Sequence, residues 1–205
     1  MSWLNFPWIS VVLLAYVIGS IPFAYIAGRL LKGKDIRLEG DRNPGAGNAY
    51  QTIGPRAGLA VGFLDVGKGA AAVLLAKVIA GDTGAEMAAG VAAVVGHNWP
   101  IFLQLRGGRG AASAVGVFFA LLPLVAIPLG IVGLAVLKTA RSITVAVGLF
   151  MITLPLLAYF TGASPYLVGY SVGLPVMVGL RHYQTTRGLQ APLEDPAGEQ
   201  ALPQG

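Results

Sequence analysis

GAASAVGVFFALLPLVAIPLGIVGLAVLK, Gly110 to Lys138, decides how this chain is folded. It carries no charge before Lys138. As one helix it would be about 40 Å long, well beyond the roughly 30 Å of a bilayer's hydrocarbon core. As two helices broken near Pro123, each is short for a crossing. The cations on either side choose between the two. Apart from Lys68 and Lys77, every Lys and Arg falls in one of four clusters: Arg29 to Arg56, Arg106 with Arg109, Lys138 with Arg141, and Arg181 with Arg187. The turns GDTGAE, LLPLV and TGASP carry no Lys or Arg. Basic residues concentrate in cytoplasmic loops, which places all four clusters on that side. An even number of crossings must then separate Arg109 from Lys138, so Gly110 to Lys138 is read as two short helices.

Working outward, the other apolar runs are 6–31, 57–80, 85–105, 142–160 and 166–180. The expectation is an all-α, polytopic membrane protein with seven transmembrane helices, the N-terminus outside and the C-terminus cytoplasmic. Residues 1–190 form a single integral-membrane domain. The Pro/Gly/Glu-rich tail, 191–205, is expected to be disordered. The first apolar run has no basic segment before it and exceeds signal-peptide length, so it is read as a true span.

Composition agrees. The chain has 205 residues and only 11% are charged, against roughly 25% in ordinary soluble domains. Mean hydropathy is +0.70, which excludes a disordered protein. Gly 29 and Pro 13 are numbers that membrane helices tolerate. The chain has no Cys, so it has neither disulfides nor a thiolate metal site. The net charge of +5 could suggest nucleic acid, but the cations mark topology, and no nucleic-acid partner is expected.

The polar groups inside the apolar runs are the functional candidates. Asp65 and Lys68, three residues apart, share a helical face and can pair at membrane depth, where charge is expensive. Gly54, Gly58 and Gly62, four apart, suit close helix packing. GFLDVGKG, Gly62 to Gly69, nearly spells a phosphate-binding P-loop. Gly69 stands where a Ser or Thr would bind magnesium and no strand precedes it, so the nucleotide reading fails. GHNWPIFLQLRGGRG, Gly96 to Gly110, sets His97 and Asn98 before a loop in which Arg106 and Arg109 flank paired glycines. Exposed backbone N–H groups, a helix start and two guanidinium groups suit an anion, phosphate above all. GDRNPGAGNAY, Gly40 to Tyr50, is a second polar glycine loop on the same side, with Asn43 and Asn48. No Ser-His-Asp set, metal cluster or paired-carboxylate site is legible, and no cofactor is expected.

At these residues the sequence resembles the bacterial acyl-phosphate:glycerol-3-phosphate acyltransferases of the PlsY type, over roughly residues 5 to 190. The segments carrying the resemblance are GDRNPGAGNAYQTIG, AGLAVGFLDVGKG, GHNWPIFLQLRGGRGAASAVG and ARSITVA. It implies a seven-span enzyme of phospholipid synthesis in the bacterial cell membrane, with its active site at the cytoplasmic face. Acyl phosphate would be the donor, glycerol 3-phosphate the acceptor, and lysophosphatidate and phosphate the products. His97, Asn98 and Asn43 would be catalytic. Together with Gly45, Asn48 and the Gly107, Gly108 and Gly110 backbone they would hold the donor phosphate. Arg109 would bind the acceptor phosphate and His182 would position the acceptor. Asp41, Asp65, Lys68, Arg106 and Ser113 complete the substrate-binding set. The chain departs from the family pattern at Asp41, where Ser is usual, at Gly47 for Thr, Gln51 for Arg and Thr185 for Asn, and has Arg106 and Arg109 for Lys. An acid at 41 repels a phosphate and loss of an Arg at 51 removes a bidentate partner, although Arg42 adjoins. Two other readings are an acyltransferase with a different acceptor and a transporter or binding protein for an anionic solute, which also uses interrupted helices. Against the latter, the chain is short and shows no internal repeat.

Overall fold

A computed structural model describes residues 6–190, and the side-chain surroundings of 7–187; the tail expected to be disordered, 191–205, lies outside the described residues. Among the described residues every regular element is helical. The first apolar run forms two helices, α1 (Phe6–Gly19) and α2 (Phe23–Lys32). Pro22 has no N–H to continue the ladder, so the chain breaks across Ser20 to Pro22. A 3₁₀ turn, Ile36–Leu38, and the short helix α3 (Ala46–Thr52) lead to α4 (Pro55–Ala80), which begins with Pro in its first turn and ends on left-handed Gly81.

Asp82 starts α5 (Thr83–Asn98) by accepting the Ala85 N–H at 3.1 Å. The helix expected to reach Leu105 stops at Asn98. Pro100 follows, Ile101–Leu103 is a 3₁₀ turn, and Gln104 and Leu105 both have positive φ, at 53° and 63°. The stretch from Gly110 breaks as expected, into α6 (Ala111–Leu121) and α7 (Pro123–Ala140). A two-residue turn joins α7 to α8 (Ile143–Phe160). The last helix, α9 (Pro165–Gln190), runs ten residues beyond the expected end at Leu180, because no Pro interrupts 181–190. That extension carries Arg181, His182 and Thr185 as helical side chains.

Small residues set the helix packing. Gly69 of α4 lies against the Ser113 carbonyl of α6, and Gly116 of α6 lies against the Val66 carbonyl of α4. The same reciprocal arrangement joins α1 to α5, through Gly19 on Ala93 O and Gly96 on Tyr16 O. A Cβ at any of the four would overlap backbone, which is how small residues let membrane helices approach. The expected stripe of Gly54, Gly58 and Gly62 does not pack against a second span. Gly54 precedes α4 with φ 140°, while Gly58 abuts Tyr50 and Gly62 faces Ala46, both of α3.

The 11-residue α6 is only about 16 Å long. It survives because it is enclosed: Ser113 to Phe118 are all buried, and Phe118 meets Tyr170 of α9 edge-on at 5.9 Å. The outside is apolar. Leu30, Phe63, Val78, Leu124 and Ile152 are each at least 78% exposed, as lipid-facing side chains are. Four stretches, 7–32, 55–80, 123–140 and 143–160, are long and apolar enough to cross a bilayer.

Candidate active site

Asp65 and Lys68 sit midway along α4, one turn apart, and form a 2.8 Å ion pair with both side chains 3% exposed or less. The break between α1 and α2 supplies what the ammonium still lacks: Lys68 Nζ donates to Ile21 O at 3.0 Å and lies 5.7 Å from the Phe23 ring. A buried ion pair persists when its remaining donors and acceptors are satisfied. The Asp65 carboxylate also faces His97 Nδ1 at 3.5 Å, and the buried Ser113 hydroxyl lies 3.3 Å from the same nitrogen. A proton on Nδ1 thus faces the carboxylate, and Nε2 is turned toward Gly108, where any side chain would overlap it. α4, α5 and α6 each contribute one part of this arrangement.

The loop between α5 and α6 wraps the His97-Asn98 end of α5. Gly107 lies against the carbonyls of both residues, and Gly108 N–H donates to His97 O at 3.1 Å. That N–H is therefore satisfied within the protein. The N–H groups of Arg109, Gly110, Ala111 and Ala112 have no acceptor among the described residues. They precede or open α6, where backbone donors lack intrahelical partners and the helix dipole is positive. Gly110 takes left-handed φ of 77° at the helix start, and a Cβ there would come within 2.6 Å of Asn98 Oδ1. Asn98 is fully buried, and neither side-chain atom has a hydrogen-bond partner among the described residues. Such a group is costly unless something at the site uses it.

Arg109 reaches across to two other elements. Its Nε donates to Thr185 Oγ1 of α9 at 3.0 Å, and its Nη1 lies 3.2 Å from Asp41 Oδ2. Asp41 Oδ1 accepts the Asn43 N–H at 3.1 Å. Asn43 has its amide beside Gly45, where a Cβ would sit 2.9 Å from Nδ2.

These groups line one cavity of about 530 Å³. Asp41, Asn43, Gly45, Asp65, His97, Arg109, Gly110 and His182 face it, and so do Gln51 and Arg141. Its far wall is apolar, built by α8 and α9 through Val147, Met151, Ile152 and Val176. Lys68, Gly107 and Gly108 lie behind it, around a void of about 10 Å³ that also touches Asp65 and His97. Ser113 and Asn98 do not line it, but touch His97 and Gly110, which do.

Not every expected residue reaches the cavity. Asn48 is buried with its amide donating to Ile36 O and Glu39 O, at 3.0 and 2.9 Å, while its Oδ1 accepts the Asp41 N–H at 3.3 Å. It braces the first glycine loop. Arg106 and Arg42 are exposed and line neither void. Two contributors fall outside the expected site residues: Arg181, read as a topology-marking cation, and Thr185, read as a departure from the family pattern. Arg181 stacks 4.8 Å from Trp99 and donates to Asn98 O at 3.3 Å, tying α9 to the end of α5. Thr185 orients Arg109. Both fall in the part of α9 read from sequence as a polar tail, where continued helical spacing was the one available signal.

The glycerol-3-phosphate acyltransferase family matches residues 9–191. Glycerol-3-phosphate acyltransferase 4 of Dehalococcoides mccartyi is 44% identical over 86% of this chain and 95% of its own length. The glycerol-3-phosphate acyltransferase of a Synechococcus species is 39% identical over 91% and 93%. Among solved structures, PlsY, an integral membrane glycerol 3-phosphate acyltransferase, matches in its glycerol 3-phosphate form with TM-score 0.79 and 32% identity, over 89% of this chain and 92% of that one. Its lysophosphatidic acid form matches with TM-score 0.75 and 30% identity. An all-helical membrane architecture, a phosphate-suited glycine loop over His97 and Asn98, and this extent of similarity agree: the chain belongs to the glycerol-3-phosphate acyltransferase family.

Proposed function

We propose that this protein transfers an acyl group from acyl phosphate to the 1-hydroxyl of glycerol 3-phosphate, forming lysophosphatidate and inorganic phosphate. One observation carries the reading: free N–H groups at the start of α6 open onto the same cavity as Asn43, His97 and Arg109. Backbone donors at a helix N-terminus hold a phosphate without needing a metal. The donor phosphate fits there, with Asn43 and the Asn98-supported loop beside it. The acyl chain then lies along the apolar wall of α8 and α9, which continues toward lipid. Arg109 and His182 face the remaining space and suit the phosphate and hydroxyls of the acceptor.

The acceptor oxygen attacks the acyl carbonyl carbon, and the carbon–oxygen bond to phosphate breaks. The hydroxyl proton ends on the departing phosphate, which is basic enough to take it. An activated donor asks mainly for positioning and for stabilisation of charge on the carbonyl and leaving group. His97, held by Asp65 and Ser113, is the ring donor available near that charge. The bias of cations to one set of helix ends favours seven crossings and a cavity facing the cytoplasm, with α1 and α2 together making the first.

The test is purified protein in detergent with palmitoyl phosphate, assayed for phosphate release with and without glycerol 3-phosphate. Acceptor-dependent release with formation of lysophosphatidate is expected. Release that ignores the acceptor, or none, would overturn the proposal.

A further inference from the structure

Of the two arginines that line the cavity, Arg109 and Arg141, Arg109 is engaged by an acid. Arg109 is 14% exposed in its side chain, and its Nη1 is 3.2 Å from the Asp41 carboxylate. Its Nε is committed to Thr185. A guanidinium binds a phosphate bidentately through two parallel N–H groups. With Nε given to Thr185, the bidentate face left is that of Nη1 and Nη2, and the Asp41 carboxylate lies against it at Nη1. The Asp41 side chain is 39% exposed and lines the same cavity, so its charge also faces the incoming phosphate. Gln51, close by on the cavity wall, adds no positive charge.

Resting on the acyltransferase reading above, we propose that Asp41 is the specificity-determining residue of the acceptor subsite: it competes with the acceptor's phosphate for Arg109 and so sets a weak affinity for phosphorylated acceptors. A phosphate drawn to Nη1 and Nη2 displaces the Asp41 carboxylate from Nη1. The donor subsite, at the N–H groups of α6, is linked to Asp41 only through the Asn43 N–H that Asp41 Oδ1 accepts.

Two substitutions isolate the charge. Asp41→Asn keeps an oxygen for the Asn43 N–H, which protects the loop, and Asp41→Ser leaves a smaller hydroxyl. The experiment measures steady-state acyl transfer in detergent with palmitoyl phosphate, varying glycerol 3-phosphate and then the donor. Both variants should lower the KM for glycerol 3-phosphate about two- to fivefold, the scale of a partly exposed charge contact. The KM for palmitoyl phosphate should hold, which also reports an intact cavity. Asp41→Glu, which keeps the charge, should not lower the acceptor KM. An unchanged or raised acceptor KM in Asp41→Asn, with the donor KM intact, overturns the inference while leaving the acyltransferase reading standing. Loss of the donor KM in both variants overturns it too, since Asp41 would then be supporting the donor side. If the wild-type protein makes no lysophosphatidate, the acyltransferase reading itself has failed.

Discussion

His97 sits where α4, α5 and α6 meet. Its Nδ1 is held between Asp65 and Ser113, and its ring rests on Gly108. His97→Ala should lower acyl transfer by about a hundredfold or more, as for loss of a catalytic side chain, while membrane insertion stays near wild type. An equal loss of insertion would make His97 a structural residue. Lys68→Met tests the layer behind it. Removing one partner of a buried ion pair strands the other, at about 3–5 kcal/mol, so the melting temperature should drop sharply. Replacing both partners, as in Asp65→Asn with Lys68→Met, should recover part of that stability but not activity, because His97 loses its carboxylate. The Asp65–Lys68 pairing was legible as an i, i+3 spacing in an apolar run. Its third partner, the Ile21 carbonyl, was not, since nothing in local sequence ties residue 21 to residue 68.

At the scale of elements, α4 and α6 approach so closely because each presents glycine to the other's backbone. Gly69→Ala should destabilise the protein by about 1–3 kcal/mol, the usual cost of overpacking. Gly67→Ala, where nothing lies within 4 Å, should be neutral or stabilise α4 by roughly 0.5–1 kcal/mol. Melting curves of the two variants side by side make the comparison. The polar segment between α2 and α3 depends on charge instead. Asp35 caps the 3₁₀ turn, and the hydrogen bond from the Arg37 side chain is the main cause holding its carboxyl below the usual value, outweighing its partial burial. A lowered folded value means that this stabilisation is present above the unfolded carboxylate range and is lost as pH falls through the folded one. Wild type should therefore out-melt Asp35→Asn near neutral pH, and the gap should close as the solution is acidified below pH ~4.

For the whole molecule, the question is how many times the chain crosses and which way it faces. The chain has no Cys, so single cysteines report their own side without a background to remove. Asp82→Cys and Thr161→Cys should react with an impermeant maleimide in intact cells. Lys32→Cys and Lys138→Cys should react only after the membrane is opened. Labelling of Lys138→Cys in intact cells would mean an odd number of crossings between Arg109 and Lys138, and the seven-span reading would be wrong.

The sequence by itself determined the class of molecule and its punctuation. Low charge pointed to a membrane protein, and Pro123 divided the long apolar stretch where α6 meets α7. Those two readings hold because they rest on local physics: hydrophobic length and a missing N–H. The tertiary structure decided what the polar residues do. Asn48, read as a ligand group, braces its own loop; Arg181 and Thr185, read as part of a polar tail, become helical partners of the end of α5 and of Arg109. Asp41, legible only as a departure from the family pattern, is placed on Arg109. A hydrogen-bonding group's role is set by whichever partner reaches it first, and here the partners are up to 83 residues away along the chain.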